Sequence, residues 1–190
     1  MVIDHSPARP RLRRAGWLYE LLDTALLIVL VYTLVNLATT RYFIDGPSMQ
    51  PSFYTGQYVL VSRVPYLVGE PQRGDIVVFN TPGARYDDPS LIKRLIGLPG
   101  EMVTFSEGQV YVNGVILDEP YIKEECQRNR CRDAEWTLGA DEYFLMGDNR
   151  NNSNDSRFFG PVPRTNLVGE ALLRYWPPSD WGVITRFRFP

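Results

Sequence analysis

The stretch Leu-Ile-Lys-Arg-Leu-Ile-Gly at residues 91–97 places two basic side chains inside an apolar run. Short apolar runs bounded by turn signals, here Pro99-Gly100, are typical of β-strands. A lysine on such a strand is shielded from water, and the loss of solvation lowers its pKa until it can act as a base, which arginine cannot do. Lys93 could also extend from a strand edge into solvent, and this stretch by itself does not decide between the two positions.

The rarity of lysine and histidine limits the chemistry that this chain can support. Of the 20 basic residues only Lys93 and Lys123 are lysines, and His5 is the only histidine. Because His5 lies in a basic N-terminal tail, a Ser-His-Asp site, a Cys-His site or a His-ligated metal site is hard to build. A net charge of −2 gives no electrostatic reason to expect nucleic acid as a partner. If the protein is a hydrolase, Lys93 is the expected base, and we expect no metal and no cofactor.

Further short runs of β-branched and aromatic residues predict a mainly β fold. They lie at residues 58–62, 75–79, 102–105, 109–112 and 143–146. Glu107-Gly108 between two of these runs predicts a hairpin, and 15 glycines and 15 prolines favour many turns. We expect mostly antiparallel strands, with a smaller and more polar cap inserted at about residues 105–142. Helical periodicity is hard to find after residue 45, apart from a short turn near residues 164–167.

An apolar segment near the N-terminus is long enough to cross a bilayer. Residues 24–40 carry no charge, and with flanking apolar residues the span reaches about 20 residues. Arginines crowd the tail before it, whereas only Arg41 follows closely. Because positive charge stays on the cytoplasmic side, we expect a cytoplasmic tail at 1–16, a transmembrane anchor at 17–40 and a domain at 41–190 on the trans side.

Two other interpretations of this segment are open. A basic start followed by an apolar run also fits a cleaved secretory signal, although this run is long and no Ala-x-Ala site ends it. A buried core helix would leave the basic tail unexplained. Trp17, Tyr19 and Tyr42 lie where interfacial aromatic residues of a membrane anchor would be.

Two polar blocks carry further candidate chemistry. In Asp-Gly-Pro-Ser-Met-Gln-Pro-Ser at 45–52, Ser48 lies in a Gly/Pro-rich loop directly after the anchor, where a serine is usually only a turn residue. The other block, at 147–160, reads Gly-Asp-Asn-Arg-Asn-Asn-Ser-Asn-Asp-Ser-Arg-Phe-Phe-Gly. A solvated loop or a calcium loop is an alternative, but Arg150 and Arg157 lie inside it and the EF-hand glutamate is absent. A hydrogen-bonded network around a charged or reactive centre suits this mixture better.

Taken together, the three blocks resemble those of the bacterial type I signal peptidase family, the membrane-anchored Ser-Lys endopeptidases. The Ser/Gly-x-Ser-Met-x-Pro box of the family is matched by residues 46–51, and its Lys-Arg box by residues 93–101. Its third box, Gly-Asp-Asn followed by Ser-x-Asp-Ser-Arg, is matched by residues 147–157. The order of the boxes, the distances between them and the preceding anchor agree over residues from about 17 to 170.

The resemblance implies a role for each matching residue. Ser48 would be the nucleophile and its backbone N–H an oxyanion donor, and Lys93 would be the general base. Ser153 would orient the lysine amine, and Asp155 and Arg157 would form a supporting ion pair. The other matching positions would line the site, and they are Gly46, Met49, Pro51, Arg94, Gly147 and Asp148.

This chain departs from one branch of the family at the oxyanion site. That branch has a serine two positions before the nucleophile, where this chain has Gly46, as in the other branch. A side-chain oxyanion donor from this position is therefore excluded. Ser52 stands where threonine is usual and keeps only the hydroxyl.

The resemblance also implies an activity, a location and partners. The expected reaction is removal of signal peptides from secretory preproteins, after small residues at −1 and −3, at the trans face of the lipid bilayer. On that oxidising side, Cys126 and Cys131 could form a short-loop disulfide, and free thiols in a surface loop are the alternative. A related Ser-Lys peptidase acting on another membrane-delivered substrate, or on itself, is the second hypothesis. An inactive membrane-anchored binding domain is the third.

Overall fold

The structure is a computed structural model that describes residues 16–127 and 131–189. The predicted cytoplasmic tail, with its arginines and His5, therefore lies outside the described residues except for Gly16. The chain divides into two compact units, Met1–Leu37 and Ala38–Pro190. The second unit begins three residues before the boundary that the sequence predicts at residue 41.

The first unit contains the helix α1 (Gly16–Ala38). It is long and apolar enough to cross a membrane, and none of its residues is buried. Its polar side chains bond to their own helix. Thr24, Thr33 and Asn36 each donate a hydrogen bond of 2.7–2.8 Å to the carbonyl four residues earlier. These polar groups are therefore satisfied locally, as a hydrocarbon environment requires.

Most of the second unit is built from short antiparallel strands. Its helices are short, α2 (Val64–Val68) and α3 (Ser156–Phe159), with single 3₁₀ turns at Arg164–Asn166 and Pro178–Asp180. The strands in the described residues are β1 (Thr39–Phe43), β2 (Tyr58–Ser62), β3 (Ile76–Phe79), β4 (Leu91–Gly97), β5 (Met102–Ser106), β6 (Gln109–Val112), β7 (Val115–Ile116), β8 (Ala134–Thr137), β9 (Glu142–Met146), β10 (Val162–Pro163), β11 (Leu167–Trp176) and β12 (Gly182–Val183).

These strands form two sheets, which confirms the predicted mainly β, antiparallel fold. The larger sheet has the order β1-β2-β11-β3-β4-β9-β10, with β12 added beside β11, and the smaller has the order β7-β6-β5-β8. The five predicted runs are β2, β3, β5, β6 and β9. Glu107 and Gly108 join β5 to β6 with φ values of 52° and 87°, the left-handed backbone that a tight hairpin turn needs. The smaller sheet begins at β5, slightly before the predicted start of the cap.

The sequence patterns do not predict six of the twelve strands in the described residues, namely β1, β7, β8, β10, β11 and β12. β1 continues directly from the apolar helix, so its residues read as the end of the anchor. Tyr42, expected among the interfacial aromatic residues, instead donates a hydrogen bond of 2.5 Å to the Ser90 carbonyl and packs on the core. β11 is the longest of the described strands and pairs with β2, β3 and β12. Its polar residues interrupt the apolar pattern, so the sequence does not predict it as a strand.

The strand β4 organises the core and fixes the position of Lys93. It lies between β3 and β9, and it contributes one residue to each of three buried clusters, Ile92, Leu95 and Ile96. Lys93 faces Val77 of β3 in the strand register. The lysine therefore lies in the interior of a sheet, and a position at a strand edge is wrong.

Candidate active site

Lys93 and Ser48 meet in the folded chain although 45 residues separate them. The Lys93 Nζ donates a hydrogen bond to the Ser48 Oγ at 2.9 Å and another to its neighbour's carbonyl, Ile92 O, at 2.8 Å. Only 2% of Lys93 is exposed, whereas Ser48 is half-buried in the loop after β1. The strand holds the amine rigidly, and the loop presents the hydroxyl to it.

Burial changes the acid–base behaviour of this lysine. Loss of solvation lowers the pKa of Lys93 from its ordinary value of 10.5 to about 8, even though the nearby carboxylates of Asp155 and Asp148 favour the charged form. A substantial fraction of the amine is therefore neutral near pH 8. A neutral amine within hydrogen-bond distance of a serine hydroxyl can take its proton.

One of those carboxylates is held by the residue beside the lysine. Arg94 donates from Nε to Asp148 Oδ1 at 2.8 Å and from Nη2 to Asp148 Oδ2 at 2.7 Å. Both side chains are buried, and the Ser52 hydroxyl adds a hydrogen bond of 2.5 Å to the same carboxylate. The sequence places Arg94 and Asp148 in the site but does not predict that they pair. Ser52 keeps the hydroxyl that this network uses.

The other carboxylate belongs to the predicted supporting pair. Arg157 donates from Nε and Nη2 to the two oxygens of Asp155, each at 2.8 Å, and the Gly147 N–H donates to the same carboxylate at 3.0 Å. Burial by itself would raise the pKa of Asp155. The hydrogen bonds and charge of Arg157, with the Gly147 N–H, hold that pKa below its usual range. Asp155 therefore stays charged at the edge of the lysine site.

Ser153 does not make the hydrogen bond to Lys93 that the resemblance implies. Its Oγ is buried and has no partner of standard hydrogen-bond geometry among the described residues. It lies close enough to Asp155 to help lower the pKa of that carboxyl group. The amine hydrogens of Lys93 instead point to Ile92 O and Ser48 Oγ, so the orienting role of Ser153 stays a prediction.

Gly147 allows the third block, residues 147–160, to pack closely against the loop that carries Ser48, called here the Ser48 or nucleophile loop after its proposed role. A Cβ at this position would lie 2.5 Å from the Ser48 carbonyl oxygen and 2.6 Å from Ser153 Cβ, closer than real contacts allow. Asn149, which the sequence analysis does not single out, ties the two blocks together. Its N–H donates to Ser48 O at 3.0 Å, and its Nδ2 donates to Pro47 O at 3.1 Å. Its position in the Gly-Asp-Asn box is the only sequence signal for this role.

The remaining predicted positions shape the loop around Ser48. Gly46 has a φ of 93°, which favours glycine, and its N–H donates to Thr55 Oγ1 at 3.0 Å. Met49 is buried in the core, while Pro51 is exposed. Within the described residues the Ser48 N–H has no hydrogen-bond partner, so this donor is available.

The cap packs on the third block through charged groups that the sequence does not predict. Arg150 is fully buried and donates two hydrogen bonds of 2.7 Å to Glu119. The Lys123 N–H donates to the Asp148 carbonyl at 3.0 Å. Among the described residues the exposed Lys123 amine has one hydrogen-bond partner, Gln50 Oε1, at 3.3 Å. The second lysine of the chain thus touches the nucleophile loop without approaching Ser48.

The two cysteines lie at the contact between cap and site. Cys126 and Cys131 form a disulfide in the structure, with their Cα atoms 6.0 Å apart. Arg157 Nη1 lies 3.1 Å from Cys131 Sγ, so the bridge touches the arginine that holds Asp155. The disulfide therefore contacts the Asp155–Arg157 ion pair directly.

A calcium loop in the third block does not fit this geometry. Its two aspartates are already compensated by arginines, as described above. Across residues 16–127 and 131–189, no group of three or more histidine, cysteine, aspartate or glutamate side chains is placed to hold a metal. The polar block is a hydrogen-bonded frame around the lysine and serine.

Comparison with known proteins identifies the family. The model of the family described as signal peptidase, peptidase S26, matches residues 17–176. Signal peptidase I of Leptolyngbya laminosa is 38% identical over 165 residues, covering 83% of this chain and 78% of that protein. Two proteins of Synechocystis sp. are also similar. Probable signal peptidase I-2 is 41% identical over 78% of this chain and 67% of its own length. Probable signal peptidase I-1 is 40% identical over 85% of this chain and 86% of its own length. The chain belongs to the signal peptidase family, peptidase S26.

Proposed function

We propose that this chain is a signal peptidase I that removes signal peptides from secretory preproteins, with Ser48 as nucleophile and Lys93 as general base. The observation that carries the proposal is the 2.9 Å contact between Lys93 Nζ and Ser48 Oγ, with the amine 2% exposed. A serine paired with a desolvated lysine has the chemistry of an acyl-transfer site. The family membership and the names of the relatives agree with this activity.

The reaction begins when neutral Lys93 takes the hydroxyl proton of Ser48. The serine oxygen attacks the carbonyl carbon of the scissile peptide bond, and the carbonyl oxygen gains negative charge. The unpartnered Ser48 N–H supplies one preorganised donor to that oxyanion. The protonated amine then gives its proton to the leaving nitrogen, and water, activated by the same lysine, releases the acyl group.

Ser153 completes the orientation of the amine in this mechanism. A neutral amine has two hydrogens and one lone pair. When the lone pair accepts the Ser48 hydroxyl, Ile92 O takes one hydrogen and the second needs an acceptor. Ser153 Oγ supports this assignment, because it is buried and has no partner of standard hydrogen-bond geometry among the described residues, which is unusual for a hydroxyl.

The substrates are secretory preproteins with small residues at −1 and −3, bound as an extended strand. We assign residues 1–16 to the cytoplasm, 17–38 to the anchor, which ends with α1 because Thr39 and Thr40 pair with β2, and 39–190 to a catalytic domain on the trans side. Ser48 lies ten residues after the end of α1 at Ala38. A serine so close to the anchor meets a cleavage site that emerges at the membrane surface.

The decisive test is the charge-preserving substitution at the lysine. With the full chain in detergent and a preprotein as substrate, Lys93→Arg should retain less than about 1% of wild-type kcat/KM, because general-base catalysis typically contributes a factor of 10²–10⁴. Ser48→Ala should be equally inactive. Lys123→Arg is the matched control, since Lys123 also contacts the nucleophile loop, and it should stay active.

Each result separates the competing hypotheses. Substantial cleavage by Lys93→Arg would reject the Ser-Lys mechanism, because guanidinium cannot accept the proton. Absence of cleavage by the wild-type protein, with the preprotein still bound, would favour a binding domain. Cleavage of another membrane-delivered substrate, or of the chain itself, in preference to preproteins would favour the related peptidase.

A further inference from the structure

The last described residues of the chain, 184–189, run beside the site and lie beyond the family match, which ends at residue 176. We call this segment the C-terminal strap. Its start continues from β12, where the Ile184 N–H donates to Leu172 O at 2.8 Å. Its centre is fixed by Arg186, whose guanidinium contacts Asp75 and Gln72 and lies 3.5 Å from Glu170. Because Asp75 is 1% exposed, this attachment is partly buried.

The end of the strap contributes two rings to an aromatic cluster. The Phe187 ring lies 5.2 Å from that of Tyr121 and 4.9 Å from that of Phe189, in edge-to-face geometry. Phe189 also meets Tyr121 edge-on at 6.1 Å. Edge-to-face pairs at these distances stabilise a fixed arrangement of rings. The strap therefore holds Tyr121, a residue of the cap, in place.

Tyr121 in turn packs on the arginine beside the catalytic lysine. The guanidinium carbon of Arg94 lies 3.9 Å from the Tyr121 ring centroid, a cation–π contact. The strap also meets Arg94 through the backbone of Gly74. Any Cβ at Gly74 would overlap the Phe187 carbonyl, and Gly74 O accepts a hydrogen bond of 3.3 Å from Arg94 Nη1. Two contacts thus lead from Phe187 to Arg94.

We propose that the C-terminal strap is a positioning element for the Ser-Lys reaction, in which Phe187 holds Tyr121 on Arg94 and so fixes Arg94 against Asp148. This inference rests on the proposed function, because it matters only if Lys93 is the base. Phe187 and Tyr121 are positioning residues and touch neither reacting atom. The strap would thereby couple the C-terminal end of the chain to the charge balance at Lys93.

The coupling has a predictable sign. Asp148 favours the charged form of Lys93, and Arg94 compensates that carboxylate. If Tyr121 no longer covers Arg94, water enters and Asp148 is less well compensated, so both effects raise the pKa of Lys93. The charged groups that surround this path are Asp148 and Asp155 with Arg94 and Arg157 at the lysine, Glu119 and Arg150 at Tyr121, and Asp75 and Glu170 with Arg186 at the strap.

The test is the pH dependence of kcat/KM for the full chain in detergent, measured with a signal-peptide-derived fluorogenic peptide. In the wild type kcat/KM should rise with pH as Lys93 loses its proton, which is the acidic limb, and then level off at a plateau. Tyr121→Leu and Phe187→Leu should move this limb to higher pH by about half a unit or more. On the limb this lowers kcat/KM about threefold, with little change in the plateau. Tyr121→Phe keeps the ring on Arg94 and should keep the wild-type limb. Trp181→Leu, at an exposed aromatic residue before the strap, should also keep it.

The outcomes separate the strap from the proposed function. A folded Tyr121→Leu enzyme with the wild-type limb would overturn the proposal, as would an equal shift in Trp181→Leu. If Tyr121→Leu does not fold, as judged by circular dichroism, Phe187→Leu decides, since it keeps an apolar side chain in the cluster. If Lys93→Arg abolishes activity but the strap variants leave the acidic limb unshifted, only the role of the strap is rejected. An active Lys93→Arg variant rejects the function on which it rests.

Discussion

Arg94 donates two hydrogen bonds of 2.8 and 2.7 Å to Asp148, both side chains are buried, and Lys93, the proposed base, is next to the arginine in the strand. The pair joins the lysine block to the third block, across 54 residues of sequence. Removing one partner of a buried ion pair leaves the other charge without compensation, which is costly.

We therefore expect Arg94→Lys to destabilise the protein by about 3 kcal/mol, because lysine cannot reproduce the two-pronged contact and the partner charge becomes poorly compensated. Urea unfolding of the full chain in detergent measures this change. Arg85→Lys, at an exposed arginine, is the control and should change the free energy of unfolding by less than about 0.5 kcal/mol. Equal losses in the two variants would contradict a special role for the pair.

Stability should also depend on pH through Lys93. Since the unfolded chain binds the lysine proton up to about pH 10.5 and the folded chain loses it at about 8, folding becomes more favourable as pH rises between these values. Lys93→Met removes this dependence. The free energy of unfolding of Lys93→Met, relative to wild type, should therefore be about 3 kcal/mol larger below pH 8 than above pH 10.5, at about 1.4 kcal/mol per pKa unit.

The measurement is the free energy of unfolding of both proteins across that pH range. Lys123→Met is the control, because this lysine is exposed and no burial penalty is relieved there. A difference in the free energy of unfolding between wild type and Lys93→Met that is constant at all pH values would show that folding does not lower the pKa of Lys93.

Gly147→Ala should reduce kcat/KM at least about tenfold, because the new methyl group would push the Ser48 carbonyl and Ser153 apart and displace the nucleophile. Gly182→Ala is a matched control in β12, where a methyl group meets no closer atom than Asp180 O at 4.0 Å. Cleavage assays on the two variants give the comparison. Wild-type activity in Gly147→Ala would mean that the third block moves freely against the nucleophile loop.

The disulfide should stabilise the protein by about 2 kcal/mol in the chain-entropy model for so short a loop. Because the bridge contacts Arg157, we expect Cys126→Ser with Cys131→Ser to lower stability by that amount and to reduce activity modestly. Denaturation and cleavage assays of the double variant test this. Rapid alkylation of both cysteines in unreduced protein from its native source would contradict the bond.

The topology predicts which side of a sealed vesicle exposes the domain. The arginine-rich tail before α1 places residues 39–190 on the trans side, so protease added there should destroy the domain. Protease added on the cytoplasmic side should leave it intact. Protection from the trans side would reverse the assignment, and with it the expected place of preprotein cleavage.

The sequence predicts those parts of the fold whose signals are local. Five strands follow from β-branched runs between turns, and Lys93 on an apolar strand follows from the residues beside it. β11 is missed because its polar residues have tertiary partners: Glu170 lies by Arg186, and Arg174 donates to the Asp180 carbonyl. Gly169 lies in that strand because a Cβ would overlap the Ser62 carbonyl of β2. Such residues break an alternating pattern for reasons that no local window contains.

The contacts of the site also divide into those that local sequence indicates and those that only the folded chain creates. The three blocks that form it could be located in the sequence, and the Asp155–Arg157 pair lies within one of them. The partners across blocks could not be predicted, because Arg94 with Asp148 and Glu119 with Arg150 become neighbours only when the sheets assemble. The expected contact of Ser153 with Lys93 is absent among the described residues, where the Lys93 amine bonds to Ile92 O and Ser48 Oγ.

The register of β4 makes catalysis a measure of folding quality. Lys93 stands opposite Val77 on one neighbour, and Arg94 stands opposite Met146 on the other. Because side chains alternate between the faces of a sheet, a slip of one residue would turn the amine away from Ser48 and present a neighbouring side chain in its place. A chain with this slipped register would still be compact and have paired strands, but it would be inactive. Under the proposed mechanism, the fraction of molecules in a preparation whose Ser48 reacts with an active-site titrant therefore reports how many have aligned this strand correctly.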